Sequence, residues 1–365
     1  MNALHKRIRM LTDNGSGGPA RYYAFPTVLP LPDGTLLVAY KNGDRHALDP
    51  EASLETLRYD PNTAEVVSRQ TIDRTPGWIH QNPELARMPD GTITLSVDIQ
   101  RPGGGKMRIG LRVYRSDDEG ETFRDEGWFP QAGGYAYGYA FDDAQWFGTE
   151  DRAELMTEQT APEQITVDLL AMSFPELTGG SRAVHALRSA DSGHSWSHIR
   201  NLNEEFDFAF NECSLLAYRD GYVIVARGDK QATRATRAYR TDREFRRIGE
   251  SRWSDVYDSI AYIGRPKLFE RDGSWYVLCR NVAGGAPTSL RLYRFEPETL
   301  TLLGNVLLDE NESQIGHSYY AEHLFTGEGN ETCLHIITYA PHLVPDMPDI
   351  MALTFDWAQI RERIG

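Results

Sequence analysis

The segments VYRSDDEGETF (residues 113–123) and ALRSADSGHSW (residues 186–196) carry the signal that decides the fold. In each, an apolar stretch ends in Arg and is followed by a turn with the pattern S-x-D-x-G-x-[ST]-[WF]. The Asp of such a turn can accept hydrogen bonds from backbone amides, and the Gly can adopt a conformation that is costly for other residues. The aromatic residue can pack the turn against a sheet. Both segments therefore predict a hairpin between two strands.

Weaker copies of this unit recur along the whole chain. They are TLRYDPNT from Thr56, AYRTDREF from Ala238, LYRFEPET from Leu292 and ALTFDW from Ala352. The six copies can be aligned on Arg58, Arg115, Arg188, Arg240, Arg294 and Thr354, which gives spacings of 57, 73, 52, 54 and 60 residues. A second marker, an Asp-Gly turn before an apolar strand, precedes four copies at residues 33–34, 90–91, 220–221 and 272–273.

Each unit is thus predicted to contain four antiparallel strands joined by hairpins. Repeated units of this kind without intervening helices are typical of a β-propeller. The sequence predicts an all-β, six-bladed propeller of four-stranded antiparallel blades, with residues 1–365 forming one domain. The third unit lacks the Asp-Gly turn, and its corresponding strand is predicted at residues 165–174. A two-sheet β-sandwich is the alternative, but it does not explain the constant phase between the two markers.

Charge and composition exclude several classes of partner. The chain has 38 Lys and Arg against 53 Asp and Glu, a net charge of −15, which argues against nucleic acid or an anionic membrane as partner. No stretch approaches the roughly 18 apolar residues that a membrane helix needs. The amino terminus, MNALHKRIRMLTDNG, has no apolar run of signal-peptide length, so a cytoplasmic location is expected.

Polar residues interrupt the strands that precede the Asp-Gly turns. These strands are predicted to be the innermost of their blades, so their side chains converge on the propeller axis. Ionisable groups are costly to bury unless they are paired or used, so a polar site is expected there. The interrupting residues are His80, Glu84, Glu212, Arg265, Tyr319 and Tyr320.

The turn pattern resembles the Asp-box of sialidases and other six-bladed propellers, and three segments extend the resemblance. Residues 23–60 are similar to the sialidase region that carries two arginines and the catalytic Asp, which gives Arg45 and Asp49. Residues 210–227 resemble the segment with the catalytic Glu and a further Arg, giving Glu212 and Arg227. The segment GHSYYAEHLF, residues 316–325, resembles the one with the nucleophilic tyrosine, giving Tyr320 or Tyr319. Strand alternation points these two tyrosines to opposite faces, so only one can serve.

The resemblance implies an exo-glycoside hydrolase for a carbohydrate with a terminal sialic-acid-like or other acidic sugar, with no metal or other cofactor. A neutral tyrosine suits a sialoside because the carboxylate on its anomeric carbon would repel an anionic nucleophile. The tyrosine would lose its proton to Glu212, and Asp49 would protonate the leaving oxygen and later activate water. Substrate contacts are expected from Arg45, Arg227, Arg265, Arg280, His80 and Glu84.

One departure from the sialidase pattern concerns the carboxylate-binding arginines. Sialidases bind the substrate carboxylate with three arginines. The position of the first of them is occupied here by Ala24, whose side chain cannot bind a carboxylate. Arg265, Arg280 and Arg21 are the candidates to replace it. The resemblance therefore supports the hydrolytic residues better than it supports sialic acid as the substrate.

Each assignment has a structural alternative. Asp49 could cap a helix or turn, and Glu212 could form an ion pair between blades. Arg227 could simply neutralise Glu212, the tyrosines could serve only for packing, and His80 with Glu84 could be a satisfied inner-strand pair. Glu84 and Glu212 could instead be the carboxylate pair of another exo-glycosidase, or a Tyr and a His could be the base and acid of a uronate lyase. A sugar-binding propeller without activity is the alternative from another class, and it predicts no contact between Glu212 and a tyrosine.

Overall fold

The computed structural model describes residues 4–15, 18–102, 106–141, 145–147, 165–229, 235–253, 262–282, 288–311 and 318–365. The strands of the first half are β1 (Lys6–Met10), β2 (Tyr22–Pro30), β3 (Leu36–Gly43), β4 (Ser53–Asp60), β5 (Glu65–Asp73), β6 (Ile79–Arg87), β7 (Ile93–Pro102), β8 (Lys106–Ser116), β9 (Arg124–Trp128), β10 (Tyr137–Ala140), β11 (Gln145–Phe147), β12 (Thr166–Ser173) and β13 (Ala183–Ser189). Those of the second half are β14 (Ser197–Asn201), β15 (Phe210–Tyr218), β16 (Gly221–Gly228), β17 (Thr236–Asp242), β18 (Arg247–Arg252), β19 (Tyr262–Arg271), β20 (Ser274–Val282), β21 (Thr288–Glu296), β22 (Thr301–Asn311), β23 (Glu322–Thr326), β24 (Cys333–Val344) and β25 (Met347–Asp356). Helical segments are short: α1 (Pro175–Thr178), α2 (Leu202–Phe206), α3 (Trp357–Ile364) and one 3-10 turn (Gly329–Glu331).

These strands form six antiparallel sheets, which confirms the predicted six-bladed propeller. Blade 1 contains β2 to β5, blade 2 contains β6 to β9, blade 4 contains β15 to β18, and blade 5 contains β19 to β22. Blade 3 has the order β10-β12-β13-β14, with β11 also paired to β12, and β12 lies where the unit without an Asp-Gly turn is predicted to have its strand. Blade 6 has the order β1-β25-β24-β23, so the amino-terminal strand completes the last blade.

Neighbouring blades pack in chain order around the ring. The inner strand β2 contacts β6 of the next blade and β24 and β25 of the sixth, and β15 contacts β19. Buried apolar side chains fill the spaces between blades; Leu170 of blade 3 and Ile224 of blade 4, for example, belong to one cluster. Blade 3 therefore lies opposite blade 6 across the axis.

The arginine of the repeat connects one blade to the next. Its guanidinium donates to a backbone carbonyl in the outer turn of the following blade, which explains why Arg recurs at this phase. The four such bonds are Arg58 to Glu119 O at 2.9 Å, Arg115 to Ser192 O at 3.1 Å, Arg188 to Arg243 O at 2.7 Å and Arg240 to Glu298 O at 2.6 Å. The marker is therefore a link between blades.

The two sharpest turns have the same hydrogen bonds. In residues 116–123, Ser116 Oγ accepts from Gly120 N at 2.8 Å and Asp118 accepts from the backbone of Thr122 at 2.9 Å. In residues 189–196, the corresponding two distances are again 2.8 and 2.9 Å. Gly120 has a φ of 81°, in the left-handed region that favours glycine. The predicted turn geometry is confirmed.

A recurrent β-bulge shapes the inner strands. The register between β2 and β3 shifts at Phe25, that between β6 and β7 at Asn82, and that between β19 and β20 at Arg265. All three residues have φ between 45° and 58°, and each is followed by proline. Since proline has no N–H, it fits a position where the ladder is interrupted. These bulges set where the side chains nearest the axis point.

Arg188 offers a test of the ion pair that anchors a repeat arginine within its own blade. Its Nε and Nη2 donate to both oxygens of the fully buried Asp168, at 2.7 and 2.8 Å. Replacing Arg188 with Ala leaves this carboxylate without its cation, so the free energy of unfolding is expected to fall by about 3 to 5 kcal/mol. Chemical denaturation measures this. Arg124→Ala is the control, because the Arg124 side chain is 65% exposed, and its effect should stay within about 0.5 kcal/mol. Equal effects of the two substitutions would contradict the structural role of Arg188.

Candidate functional site

A polar cleft opens at the axial end of the inner strands. About 620 Å³ of space, including space open to solvent, lies between its lining residues. Blades 1 to 4 and 6 all contribute to its lining, which is formed by Phe25, His46, Gln81, Asn82, Gln100, Arg108, Tyr139, Met172, Phe174, Arg182, Asn211, Glu212 and Tyr320.

Glu212 and Tyr320 meet in this cleft. Glu212 lies in β15 of blade 4, and Tyr320 precedes β23 of blade 6, 108 residues further along the chain. The Tyr320 hydroxyl donates a hydrogen bond to Glu212 Oε1. The contact that the hydrolase hypothesis requires is therefore present, and it is the contact that the hypothesis of a binding propeller without activity does not predict.

Cations hold the other oxygen of Glu212. Its Oε2 accepts hydrogen bonds from Arg227 Nη1 and from the backbone N of Arg265, both at 2.8 Å, and Arg280 Nη2 lies 3.8 Å away. Arg227 belongs to β16, the strand paired with β15. Oε1 is thereby directed to Tyr320, and the carboxylate has a fixed orientation.

The surroundings shift the pKa values of the two groups in opposite directions. Burial by itself would raise the pKa of Glu212, but the charges of Arg227 and Arg280, with the hydrogen bonds from Tyr320 and Arg265, lower it below its ordinary value of 4.5. Burial, followed by the negative charge of Glu212, raises the pKa of the Tyr320 phenol, although Arg280 and Arg227 oppose this. At neutral pH the pair is thus a carboxylate next to a neutral phenol.

Tyr319 has a different environment. It has a φ of 66°, is 1% exposed, and lies in the apolar cluster between blades 5 and 6. Its hydroxyl donates to Asp309 Oδ2 at 3.0 Å. The two tyrosines do point in different directions, as predicted, and Tyr320 is the one that lines the cleft.

His80 and Glu84 do not line the cleft, contrary to the expectation of substrate contacts. His80 is fully buried and bonded at both ring nitrogens, to Ala52 O at 2.8 Å and to Asp73 Oδ2 at 3.0 Å. Glu84 Oε1 accepts from the Tyr139 hydroxyl at 2.9 Å and pairs with Arg265. The structure therefore does not place Glu84 and Glu212 on two sides of this cleft.

Asp49 also lies outside the cleft, which corrects its predicted position. Its Oδ2 accepts from the backbone N of Asp44 at 2.8 Å and of Arg45 at 3.2 Å, and it pairs with the buried Lys41 at 3.4 Å. A Cβ on Gly43 would lie 2.0 Å from that oxygen, so only glycine permits the approach. Asp49 is 1% exposed and organises the loop between β3 and β4, the structural alternative named above.

The other predicted arginines lie at or beyond the border of the cleft. Arg45 is exposed on the loop that Asp49 organises, and Arg21 pairs with Asp44 outside the cleft. Arg265 and Arg280 lie beneath Tyr320, with Cζ 5.7 and 5.2 Å from its ring centroid. Neither of them lines the cleft, so none of the three candidates for the missing arginine faces its opening.

Instead, the loop of Asp49 directs His46 into the cleft. His46 Nδ1 lies 3.2 Å from the Tyr22 hydroxyl, and its ring packs 5.3 Å from that of Phe25. Its backbone O accepts from Gln81 Nε2 at 2.8 Å and from Lys41 at 3.1 Å. The loop therefore presents an imidazole where a carboxylate was predicted.

The sequence analysis also missed Gln100, Arg108 and Arg182. Gln100 and Arg108 lie in β7 and β8 of blade 2, and Arg182 precedes β13 of blade 3. All three are outside the inner strands, and no motif identified in the sequence includes them. The extension of β7 and β8 beyond the lengths of β3 and β4 brings the first two to the cleft.

No helix in the described part of the chain has the length and apolar character needed to span a membrane. In the same residues, no group of three or more His, Cys, Asp and Glu side chains is arranged to hold a metal ion.

The fold of the chain is similar to that of several solved structures. A protein of unknown function from Dyadobacter fermentans aligns over 96% of this chain and 98% of its own, with a TM-score of 0.71 and 15% identity. An intramolecular trans-sialidase from Ruminococcus gnavus, in complex with oseltamivir carboxylate, aligns over 93% and 95%, with a TM-score of 0.62 and 10% identity. A mutant of the NanB sialidase from Streptococcus pneumoniae aligns over 97% and 71%, with a TM-score of 0.62 and 10% identity.

Neither a family model nor a curated protein matches the sequence. At 10 to 15% identity, the likeness is one of fold. The resemblance inferred from the turns and the three segments is confirmed at that level: the chain has the six-bladed propeller fold that sialidases have.

Proposed function

We propose that the protein is a sialidase-like exo-glycoside hydrolase that acts on a terminal acidic sugar. The observation that carries this proposal is the hydrogen bond between Tyr320 and Glu212 at the base of the polar cleft. The identical hydrogen bonds of the two outer turns also support their interpretation as Asp-boxes.

The chemistry divides into two displacements. Tyr320 Oη attacks the anomeric carbon while Glu212 takes the phenolic proton, and the glycosidic C–O bond breaks. Water then attacks the same carbon, the bond to Tyr320 breaks, and Glu212 returns the proton to the phenolate. A neutral phenol suits an acidic sugar, since it approaches without the repulsion that an anionic nucleophile would meet.

His46 is the proton donor in this proposal, in place of Asp49. Its imidazole lines the cleft, whereas the Asp49 carboxylate is bound to backbone amides and to Lys41. Protonated His46 gives its proton to the leaving oxygen and takes one from the incoming water. Asp49 acts as a positioning residue, because it fixes the loop that carries His46.

A uronate lyase is the second candidate, and the presence of His46 and Tyr320 in one cleft favours it. In that reaction one of the two groups would remove the proton next to the carboxylate, and the other would protonate the leaving oxygen. The product would then be an unsaturated uronate, which absorbs in the ultraviolet, whereas hydrolysis gives a saturated sugar.

Release of a fluorescent aglycone from glycosides of sialic acid, uronic acids and neutral pyranoses and furanoses tests the proposal. We expect hydrolysis of one or more acidic glycosides and little of the neutral ones. Glu212→Gln should lower kcat/KM on the hydrolysed substrate by about 10² to 10⁴ fold, the range for loss of a general base. If the wild type were as inactive as Glu212→Gln on every glycoside of this panel, hydrolysis would be contradicted. An unsaturated product would favour the lyase.

A further inference from the structure

Two arginines line the wall of the cleft away from Tyr320. Tyr320 belongs to blade 6, Arg108 to blade 2 and Arg182 to blade 3, which lies opposite blade 6 in the ring. Arg227 and Arg280 are both near Glu212, so their charges act on that carboxylate. The basic groups across the cleft are therefore the ones positioned to meet a different part of the sugar.

The position of Arg108 is fixed by its surroundings. Its Nε donates to the fully buried Asp98 at 3.2 Å, and its Cζ stacks 3.7 Å from the ring centroid of Phe174. A Cβ on Gly138 would lie 2.9 Å from that ring and 3.1 Å from Arg108 Cδ, so the glycine leaves room for the stack. The contact to Asp98 uses Nε, and the two terminal nitrogens of the guanidinium have no hydrogen-bond partner within the described part of the chain. Two parallel donors of this kind suit a carboxylate.

Gln100, beside Arg108, carries a second sign of a ligand. It lines the cleft but is only 2% exposed, and its Nε2 donates to Asp98 Oδ2 at 2.6 Å. Its Oε1 has no hydrogen-bond partner among the described residues. A buried acceptor is costly to leave unsatisfied, and a sugar hydroxyl is a donor of the right kind.

Arg182 adds positive charge to the same wall. It pairs with Asp229, and both side chains are partly exposed. Burial lowers the pKa of its guanidinium, and the nearby positive charges of Arg108 and Arg227 lower it further. Arg182 therefore lies close enough to Arg108 for the two charges to act on each other.

The wall next to Tyr320 has a different character. Ala24 is fully buried, and Phe25 beside it faces the cleft, with its ring 5.4 Å from that of Tyr320. A carboxylate on the reacting carbon would have to lie here, next to Tyr320 and the anionic Glu212. The cleft therefore has an aromatic side near the nucleophile and a cationic side across from it.

We propose that Arg108 and Arg182 bind the carboxylate of a hexuronic-acid sugar, and that Gln100 accepts a hydrogen bond from a neighbouring hydroxyl. The carboxylate of such a sugar is remote from the anomeric carbon, unlike that of sialic acid. This inference rests on the proposed function for the position of the reacting carbon at Tyr320, but the binding it describes does not require turnover.

Calorimetric titration of the full chain with free sugars tests the inference. The probes are D-glucuronate and D-galacturonate, their neutral counterparts D-glucose and D-galactose, and N-acetylneuraminate. At least one uronate should bind about tenfold or more tightly than its neutral counterpart, as expected for charge-assisted hydrogen bonds. Arg108→Gln and Arg182→Gln should each weaken uronate binding about tenfold or more and leave binding of the neutral sugar unchanged.

Arg112→Gln is the matched control. Arg112 lies on the same strand as Arg108 and pairs with Asp125 outside the cleft, so uronate binding should remain at the wild-type level. Arg108→Gln could misfold, because it leaves the fully buried Asp98 without its cation. Arg182→Gln keeps the inference testable in that case, because its partner Asp229 is partly exposed. Thermal melting identifies which variants are folded.

Three results would overturn the inference: equal binding of uronates and neutral sugars, uronate binding at wild-type strength by folded Arg108→Gln and Arg182→Gln, or a preference for N-acetylneuraminate. The same titrations with Tyr320→Phe separate this inference from the proposed function. Uronate binding that persists in this variant and depends on Arg108 supports the carboxylate site even if no glycoside is hydrolysed. Hydrolysis of acidic glycosides without any dependence on Arg108 and Arg182 supports the function and rejects the site.

Discussion

Tyr320→Phe is expected to lower kcat/KM by about 10³-fold or more on every glycoside that the wild type hydrolyses. The substitution removes the oxygen that attacks the sugar, and groups that act as a unit with it cannot compensate. The ring itself remains, with its contacts to Phe25 and Tyr339 at 5.4 and 5.9 Å, so the fold should be retained. Steady-state kinetics together with thermal melting measure the two effects separately.

The neighbouring Tyr319 provides the matched control. Tyr319→Phe removes a hydroxyl that bonds to Asp309 in the interior, away from the cleft. The free energy of unfolding of Tyr319→Phe should fall by about 1 kcal/mol, and its kcat/KM should stay near the wild-type value. If Tyr320→Phe retained activity while Tyr319→Phe lost it, the assignment of the nucleophile would be wrong.

His46→Gln is expected to affect substrates according to their leaving groups. A proton donor matters most for an alkyl alcohol, which leaves poorly without one, and matters least for a nitrophenol. We expect kcat/KM to fall by about 10² to 10⁴ fold for alkyl glycosides and by less than about tenfold for nitrophenyl glycosides. Measured rates for a series of leaving groups give the comparison.

The pH dependence provides a second measurement of the same role. Activity requires ionised Glu212. Because the pKa of Glu212 is lowered from its ordinary value of 4.5, activity on the acid side should be lost only below about pH 4.5. Activity also requires His46 as a proton donor, so it should fall at alkaline pH, where a donor has lost its proton. His46→Gln should abolish the alkaline decrease. If Asp49→Asn produced the leaving-group dependence and His46→Gln reduced all rates equally, Asp49 would be the donor.

The architecture could be predicted because its signals are local and repeated. Arg115, Arg188 and their equivalents recur at blade phase since each donates to the turn of the next blade, so one contact leaves the same mark several times. The hairpin turns likewise depend on side chains within eight residues. Closure of blade 6 by β1 joins opposite ends of the chain and carries no comparable local signal.

The pair formed by Glu212 and Tyr320 could be predicted from the sequence, but the residues around it could not. Glu212 lies in an inner strand and Tyr320 directly precedes one, and the repeat already places both strands at the axis. Asp49 takes the place of the catalytic Asp in the segment that resembles sialidases. Its carboxylate instead pairs with Lys41 and lies against Gly43, which strand phase cannot show. The proline that follows Phe25, Asn82 and Arg265 is a signal for the bulges that could have been used.

Covalent labelling of the nucleophile tests the central claim most directly. A fluorinated glycosyl fluoride of the sugar that the wild type hydrolyses should form a slowly hydrolysed intermediate. Peptide mass spectrometry should then find the sugar attached to Tyr320, with the adduct absent from Tyr320→Phe and unchanged in Tyr319→Phe. Attachment to Glu212 or to another residue, or hydrolysis of the parent glycosides with no adduct on Tyr320, would contradict the account.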